Sequence, residues 1–195
     1  MKVEQIRTFI AIELSPAFRI EIEELQVKLK ASNPLPAKWV KPNGTHLTLT
    51  FLGNVGEDLV STITLAMERA AEGVNPFLLR LGHMGVFPSL NRVQVIWVGL
   101  EGKLDNLLDL KNRLESELTP LGFQPEERNF TPHLTLARLR DRLSLLEREQ
   151  LAKFISRTSP NKPIDMDVTH VSLMRSFLSH EGASYRCLAQ APLKF

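Results

Sequence analysis

One tetrapeptide occurs twice. His46-Leu47-Thr48-Leu49 returns as His133-Leu134-Thr135-Leu136, 87 residues later in a chain of 195. Each copy is followed by a helical stretch, a proline-containing turn (Asn75-Pro76; Lys162-Pro163) and a strand bearing a further histidine. Those histidines, His83 and His170, each lie 37 residues beyond their motif. A strand-plus-helix segment precedes each motif as well, beginning at Arg7 and at Arg92. A shared register of this kind points to a duplicated half of about 90 residues, and two copies are too few for a solenoid. The expected architecture is therefore two pseudo-twofold-related lobes in a single bilobal domain over residues 1–195.

The residues between the motifs fix the class. Arg7–Leu14 is a short apolar run that reads as a buried strand, and Ser15-Pro16 starts a helix running to about Lys30, with Ile20, Ile22, Leu25 and Leu29 as its apolar positions. Asn33–Pro36 reads as a loop, Trp39-Val40 as a short strand, Pro42-Asn43-Gly44 as a turn and His46–Gly53 as an alternating strand. Asp58–Glu72 has helical periodicity and stops at Gly73. Pro76–Phe87 and Arg92–Leu100 read as strands joined by Pro88–Asn91. A helix follows over Leu104–Leu118, with Leu104, Leu107, Leu108, Leu114 and Leu118 as its stripe. His133–Leu139 is a strand and Leu143–Ile155 a helix. The tail carries strands at about Asp167–Leu178 and Ser184–Ala189, joined at Glu181-Gly182-Ala183. Strands come in adjacent pairs between helices, so the class is α+β, each lobe an antiparallel sheet with helices outside, rather than a doubly wound parallel sheet.

Composition narrows the function. One cysteine excludes a disulfide framework and any multi-cysteine metal site; Cys187 reads as a buried, inert thiol. A formal charge of +2 lacks the basic excess of DNA-binding domains. No run of eighteen apolar residues exists, so no membrane partner is expected, and the N-terminus lacks a secretory pattern. The cytoplasm is the expected location, and a monomer the expected state.

Alternation along a strand puts His46 and Thr48 on one side and Leu47 and Leu49 on the other; His133 and Thr135 follow the same rule. If the lobes face one another, two imidazoles and two hydroxyls meet in a central cleft. That set suits phosphodiester cleavage without a metal or cofactor. One ring accepts a proton from water, the other protonates the leaving alkoxide, and the hydroxyls bond the phosphate oxygens. Two histidines without companion carboxylates are a poor first-row metal site. The related sequence His170-Val171-Ser172-Leu173 aligns in the repeat with His83, which lacks a hydroxyl two residues on, so both of these histidines read as supporting.

The paired motifs resemble those of the two-histidine phosphoesterase superfamily. With Arg7-Thr8-Phe9-Ile10-Ala11-Ile12, His46–Gly53 and Thr131–Arg138, the chain resembles more narrowly the RNA 2′,3′-cyclic phosphodiesterases, formerly called 2′-5′ RNA ligases. The resemblance implies hydrolysis of RNA 2′,3′-cyclic phosphate ends to 2′-phosphomonoesters. His46 would be the proton donor to the leaving 3′ oxygen and His133 the proton acceptor from water; sequence symmetry alone does not assign those roles. It implies phosphate binding by Thr48 and Thr135, and packing of Arg138 on the terminal base. On an ideal strand Arg138, five residues past His133, faces away from the cleft, so a bulge or twist after Ala137 is required; otherwise Arg138, Arg140 and Arg142 form a solvated edge. Phe9 and Phe51 read as core residues. The alternatives are an RNA-end-binding module without turnover, reversible 2′-5′ joining of RNA ends, or hydrolysis of small cyclic nucleotides.

Overall fold

The computed structural model describes residues 4–32, 35–125, 129–158, 160, 164–179 and 182–194. Asn33-Pro34, Lys162-Pro163 and Glu181, expected in turns, lie outside the described residues, as does Met1–Val3. Among the described residues, the strands are β1 (Gln5–Glu13), β2 (Ala37–Trp39), β3 (His46–Gly56), β4 (Phe77–Ser89), β5 (Arg92–Gly102), β6 (His133–Leu139), β7 (Asp165–Val168), β8 (His170–Ser179) and β9 (Gly182–Pro192). The α-helices are α1 (Pro16–Ser32), α2 (Val60–Ala71), α3 (Leu104–Leu118) and α4 (Leu145–Arg157). Among the described residues, no helix is long and apolar enough to cross a membrane.

Two antiparallel sheets result, in the orders β3-β1-β8-β9 and β2-β6-β5-β4-β7. Helix α2 packs on β8 and β9 and α3 on β3, whereas α4 packs on β4. Helix α1 reaches the second sheet, where the buried Gln26 side chain donates to the carbonyls of Val40 and Leu136. Leu47 and Leu49 of β3, and Leu134 and Leu136 of β6, are almost fully buried in one continuous core with the apolar helix faces. The motif histidines and threonines lie on the opposite sides of those strands, where they are half-buried.

The lobes differ from the sequence halves. Strand β4, fourth in the first half, pairs with β5 of the second half through a turn of only Leu90-Asn91. Strand β8, fourth in the second half, returns to pair with β1. Each sheet is thus completed by two strands from the other half (β8 and β9 in the first, β2 and β4 in the second), and the registers match. Thr48 faces Ala11, which faces Ser172; Thr135 faces Trp97, which faces Gly85. Ser172 lies 87 residues beyond Gly85, the spacing of the motifs.

Other expectations require correction. The single strand expected at Asp167–Leu178 is two strands, because the chain passes at Thr169 from β4 in one sheet to β1 and β9 in the other. Pro88 and Ser89 belong to β4 rather than to a loop. Ile20 is 59% and Leu108 46% exposed, because the buried faces of their helices are completed by Phe18 and Gln26 in α1 and by Leu110 and Lys111 in α3. The buried Lys111 pairs there with Glu115 one helical turn on, with its Nζ over the Phe130 ring.

Candidate active site

Each motif strand carries a bulge at the same place. On β3, Thr50 pairs with Ile10 and Thr48 with the adjacent Ala11, leaving Leu49 as the extra residue; on β6, Ala137 pairs with Ile96 and Thr135 with Trp97, leaving Leu136. Two consecutive side chains then point inward, and Leu49 with Thr50, and Leu136 with Ala137, are all buried. The next residue turns back to the motif side. On β6 that residue is Arg138, which is exposed and close enough to His133 to act on its charge. The bulge is therefore present, though it lies before Ala137 rather than after it. The bulged Leu136 carbonyl accepts from the Val40 N–H at 3.0 Å and the Gln26 side chain at 3.0 Å, so α1 holds the distortion in place. The equivalent residue on β3 is Phe51, which is 59% exposed and not in the core.

His46 lies face to face with Phe9 at 4.6 Å, and the edge of Tyr185 meets it at 4.7 Å. Phe9, Ala11, Met174 and Tyr185 form a small apolar cluster separate from the main core, which places the Phe9 ring under the site. Glu13 is directly opposite His46 in the β1–β3 ladder. Its carboxylate is anchored by the fully buried Ser172, whose hydroxyl donates at 2.6 Å, and by the Gln190 amide at 3.2 Å. Burial pushes the His46 pKa down to about 4, against the upward pull of the Gly44 backbone hydrogen bond and, more weakly, of Glu13.

His133 is held differently. Its Nδ1–H donates to the Thr131 carbonyl at 2.7 Å, the counterpart of the contact between His46 and Gly44. This fixes the tautomer and leaves Nε2 with its lone pair. Phe87 meets the ring edge-on at 4.9 Å and Trp97 at 6.2 Å, and His83 packs on Trp97 at 5.5 Å. Burial again lowers the pKa against the upward pull of the Thr131 hydrogen bond, and here the nearby Arg138 guanidinium adds a weaker downward push. Where His46 faces a carboxylate, the residue opposite His133 is Gly99.

The two environments adjoin. Strands β3 and β6 touch across the junction of the sheets. Tyr185, which contacts His46, also feels the charge of Arg138, which acts on His133. A chain of neighbours thus links the two imidazoles, with Thr48 and Thr135 on the same strand faces.

The sequence matches the 2′-5′ RNA ligase superfamily over residues 14–177. The chain belongs to that superfamily. It is 33% identical over 181 residues to the RNA 2′,3′-cyclic phosphodiesterase of Methanothermobacter thermautotrophicus, covering 93% of this chain and 95% of that one. It is 31% identical over 183 residues to the enzyme of the same name from Thermotoga maritima, covering 94% and 93%. Among solved structures, E. coli LigT complexed with 3′-AMP superposes with a TM-score of 0.79 at 27% identity, covering 98% of this chain and all of LigT. TT0787 of Thermus thermophilus gives the same TM-score and identity over 96% and 98%.

Several groups in this member of the 2′-5′ RNA ligase superfamily escaped the sequence reading. Tyr185, Trp97, Phe87 and Glu13 touch or act on the motif histidines, yet none belongs to a repeated motif. Glu13 ends β1 just as His46 begins β3, so an assumed antiparallel β1–β3 pair would have found it. Cys187 is exposed, not buried, because β9 is an edge strand; its thiol contacts the Ala189 carbonyl at 3.5 Å. His170 stands at the start of β8, with Nδ1 bonded to the Thr169 hydroxyl at 3.1 Å.

Proposed function

We propose that this protein hydrolyses RNA 2′,3′-cyclic phosphodiester ends to 2′-phosphomonoesters, without a metal, by two-histidine acid–base catalysis in a bilobal domain built by internal duplication. The names of the relatives support the substrate class. The roles are carried by one observation: the symmetric motifs have asymmetric electrostatics. Burial dominates at both rings and favours their neutral forms; against that background the carboxylate opposite His46 favours the imidazolium, the form that can give a proton, whereas the guanidinium beside His133 adds to the preference for the neutral ring, the form that can take one.

His133 Nε2 removes a proton from water as the water oxygen attacks phosphorus. The bond from phosphorus to O3′ breaks on the opposite side, and His46 delivers its proton to O3′. One water is consumed, and the phosphate remains on O2′. Before each turnover His46 must be charged; the phosphodiester anion and Glu13 together favour this against the cost of burial. Thr48 and Thr135 donate hydrogen bonds to the non-bridging oxygens, whose charge grows in the transition state. Arg138, returned to the motif side by the bulge, packs on the terminal base. Phe9 and Tyr185, against His46, and Phe87 and Trp97, against His133, restrict the rings to the orientation that catalysis needs.

The test is mass analysis of an oligonucleotide with a 2′,3′-cyclic end after incubation with the wild type, His46→Ala and His133→Ala, with and without EDTA. Gain of one water with phosphate on O2′, abolished by either substitution and indifferent to EDTA, is expected. An oligonucleotide that is bound but unchanged would replace the enzyme with an RNA-end-binding module; loss of activity in EDTA, restored by zinc, would replace the mechanism with metal-assisted hydrolysis.

A further inference from the structure

Beyond Arg138 the chain continues through Arg140 and Arg142, past the end of β6. With the start of β5 and the first turn of α4 it encloses a groove of about 520 Å³. Four guanidinium groups line this groove, those of Arg92, Arg140, Arg142 and Arg148, against the single carboxylate of Asp141. Arg148 is tied down: its Nη1–H donates to the Asn91 carbonyl at 3.3 Å and its Nε–H to that of Ser144 at 3.4 Å. The acid nearest in sequence on α4, Glu147, is turned onto the Ser144 backbone and hydroxyl, each at 2.7 Å. Arg92, Arg140 and Arg142 are exposed and form no ion pair among the described residues. Three like charges converging on one depression repel one another, and an anion seated there relieves that repulsion.

We infer that this groove is a second RNA-binding site, which takes the phosphodiester backbone of the nucleotides preceding the reacting end. The inference rests on the proposed function and extends it from the terminal phosphate to the body of the strand. Its position fits. Arg140 is two residues past Arg138, about 7 Å along an extended chain, comparable to the separation of successive phosphates in a stretched single strand. A strand with its terminal base on Arg138 therefore meets Arg140, then Arg142 and Arg92, with Arg148 as a fixed wall. Guanidinium groups suit this task because each can bond two phosphate oxygens at once. Contacts to phosphate carry no sequence information, so the groove confers affinity and a preference for length rather than for bases.

The experiment compares two substrates: a 2′,3′-cyclic mononucleotide, which cannot reach the groove, and a decanucleotide with a 2′,3′-cyclic end. In R140Q/R142Q, kcat/KM for the decanucleotide falls about tenfold, through KM, while mononucleotide turnover changes less than twofold. The dependence of log kcat/KM on log salt for the decanucleotide becomes shallower by about 1.4, or about 0.7 for each phosphate contact removed on a single strand. Equal losses on both substrates, or no loss on either, overturn the groove. Binding of a fluorescent decanucleotide ending in a 3′-phosphate, read by anisotropy, separates this inference from the reading beneath it. If nothing is hydrolysed but the wild type binds the probe and R140Q/R142Q binds it tenfold more weakly, the groove stands and the hydrolase reading falls. If both bind alike, the groove falls whatever the turnover. Displacement of the probe by a polyglutamate peptide as readily as by RNA also overturns it, in favour of an acidic protein partner.

Discussion

Replacing Glu13 by glutamine removes one charge and leaves the packing, because an amide oxygen can still accept from the Ser172 hydroxyl now bonded at 2.6 Å. Residues directly opposite in an antiparallel pair have Cβ atoms about 4.5–5.5 Å apart, and at a charge separation of about 6 Å two unit charges interact by about 0.7 kcal/mol in water and about 2.8 kcal/mol at an effective dielectric of 20. Glu13 acts on His46 less strongly than either burial or the Gly44 hydrogen bond. The lower part of that range therefore applies, about 1 kcal/mol, or about fivefold in the protonated fraction of the ring. Above its pKa, the fraction of His46 able to donate a proton limits the rate; below it, the ring is charged in both proteins. The ratio of kcat/KM for wild type over Glu13→Gln on a cyclic-ended oligonucleotide is expected to be about five at pH 8 and to fall towards one as the pH is lowered. A ratio that does not change with pH, or that grows on acidification, would refute the assignment of His46 as the acid.

Four more perturbations follow from the geometry. Burial holds the folded His46 pKa at about 4, below the unfolded value of 6.5, so its stabilising contribution is complete above 6.5 and is lost as the pH falls towards 4; at most about 3 kcal/mol is involved, and urea unfolding at pH 7 and pH 5 should show a larger loss for wild type than for His46→Gln. A Cβ on Gly85 would lie 2.2 Å from the Trp97 ring, so Gly85→Ala should cost about 1–3 kcal/mol, lower the Tm and change the tryptophan fluorescence; an unchanged Tm counts against the packing around His133. Gln26→Leu leaves the bulged Leu136 carbonyl one donor short and should cost about 1–3 kcal/mol; turnover per folded molecule should also fall as Arg138 loses its orientation, and unchanged turnover would separate Gln26 from the site. Glu115→Ala strands the buried Lys111 ammonium at a cost of about 3–5 kcal/mol, which Lys111→Met in the same protein should largely restore on denaturant titration.

What the sequence disclosed follows the range of the forces involved. Alternation, helical periodicity and turn residues act within a few positions, and α3 and β6 have the ends that these local signals imply. The repeat located both histidines and both threonines because strand alternation is a short-range rule. Contacts distant in sequence were hidden. The side of β6 on which Arg138 emerges depends on a bulge bonded by Gln26, 110 residues earlier than Leu136. The exchange of β4 and β8 between the halves leaves no mark on their own composition, although the two-residue turn at Leu90-Asn91 does favour pairing of β4 with β5. Tyr185 has no counterpart in any motif, and only the approach of β9 to β3 through β8 and β1 shows that it contacts His46.

A perfectly symmetric pair of lobes would make a poor catalyst for this reaction. Hydrolysis has a direction, with water entering on one side of phosphorus and an alkoxide leaving on the other, so identical imidazoles in identical surroundings would carry equal charge and no assigned roles. The departures from symmetry fall where that degeneracy must be broken. Opposite one histidine stands Glu13, opposite the other Gly99; the bulge presents Phe51 on one strand and Arg138 on its counterpart; Ser172, which orients the carboxylate, replaces a Gly85 that makes room for Trp97. The carboxylate and the guanidinium act in opposite directions on chemically equivalent rings. On the proposed reading the two motif strands supply two chemically equivalent imidazoles, and these departures from symmetry favour His46 as the acid and His133 as the base.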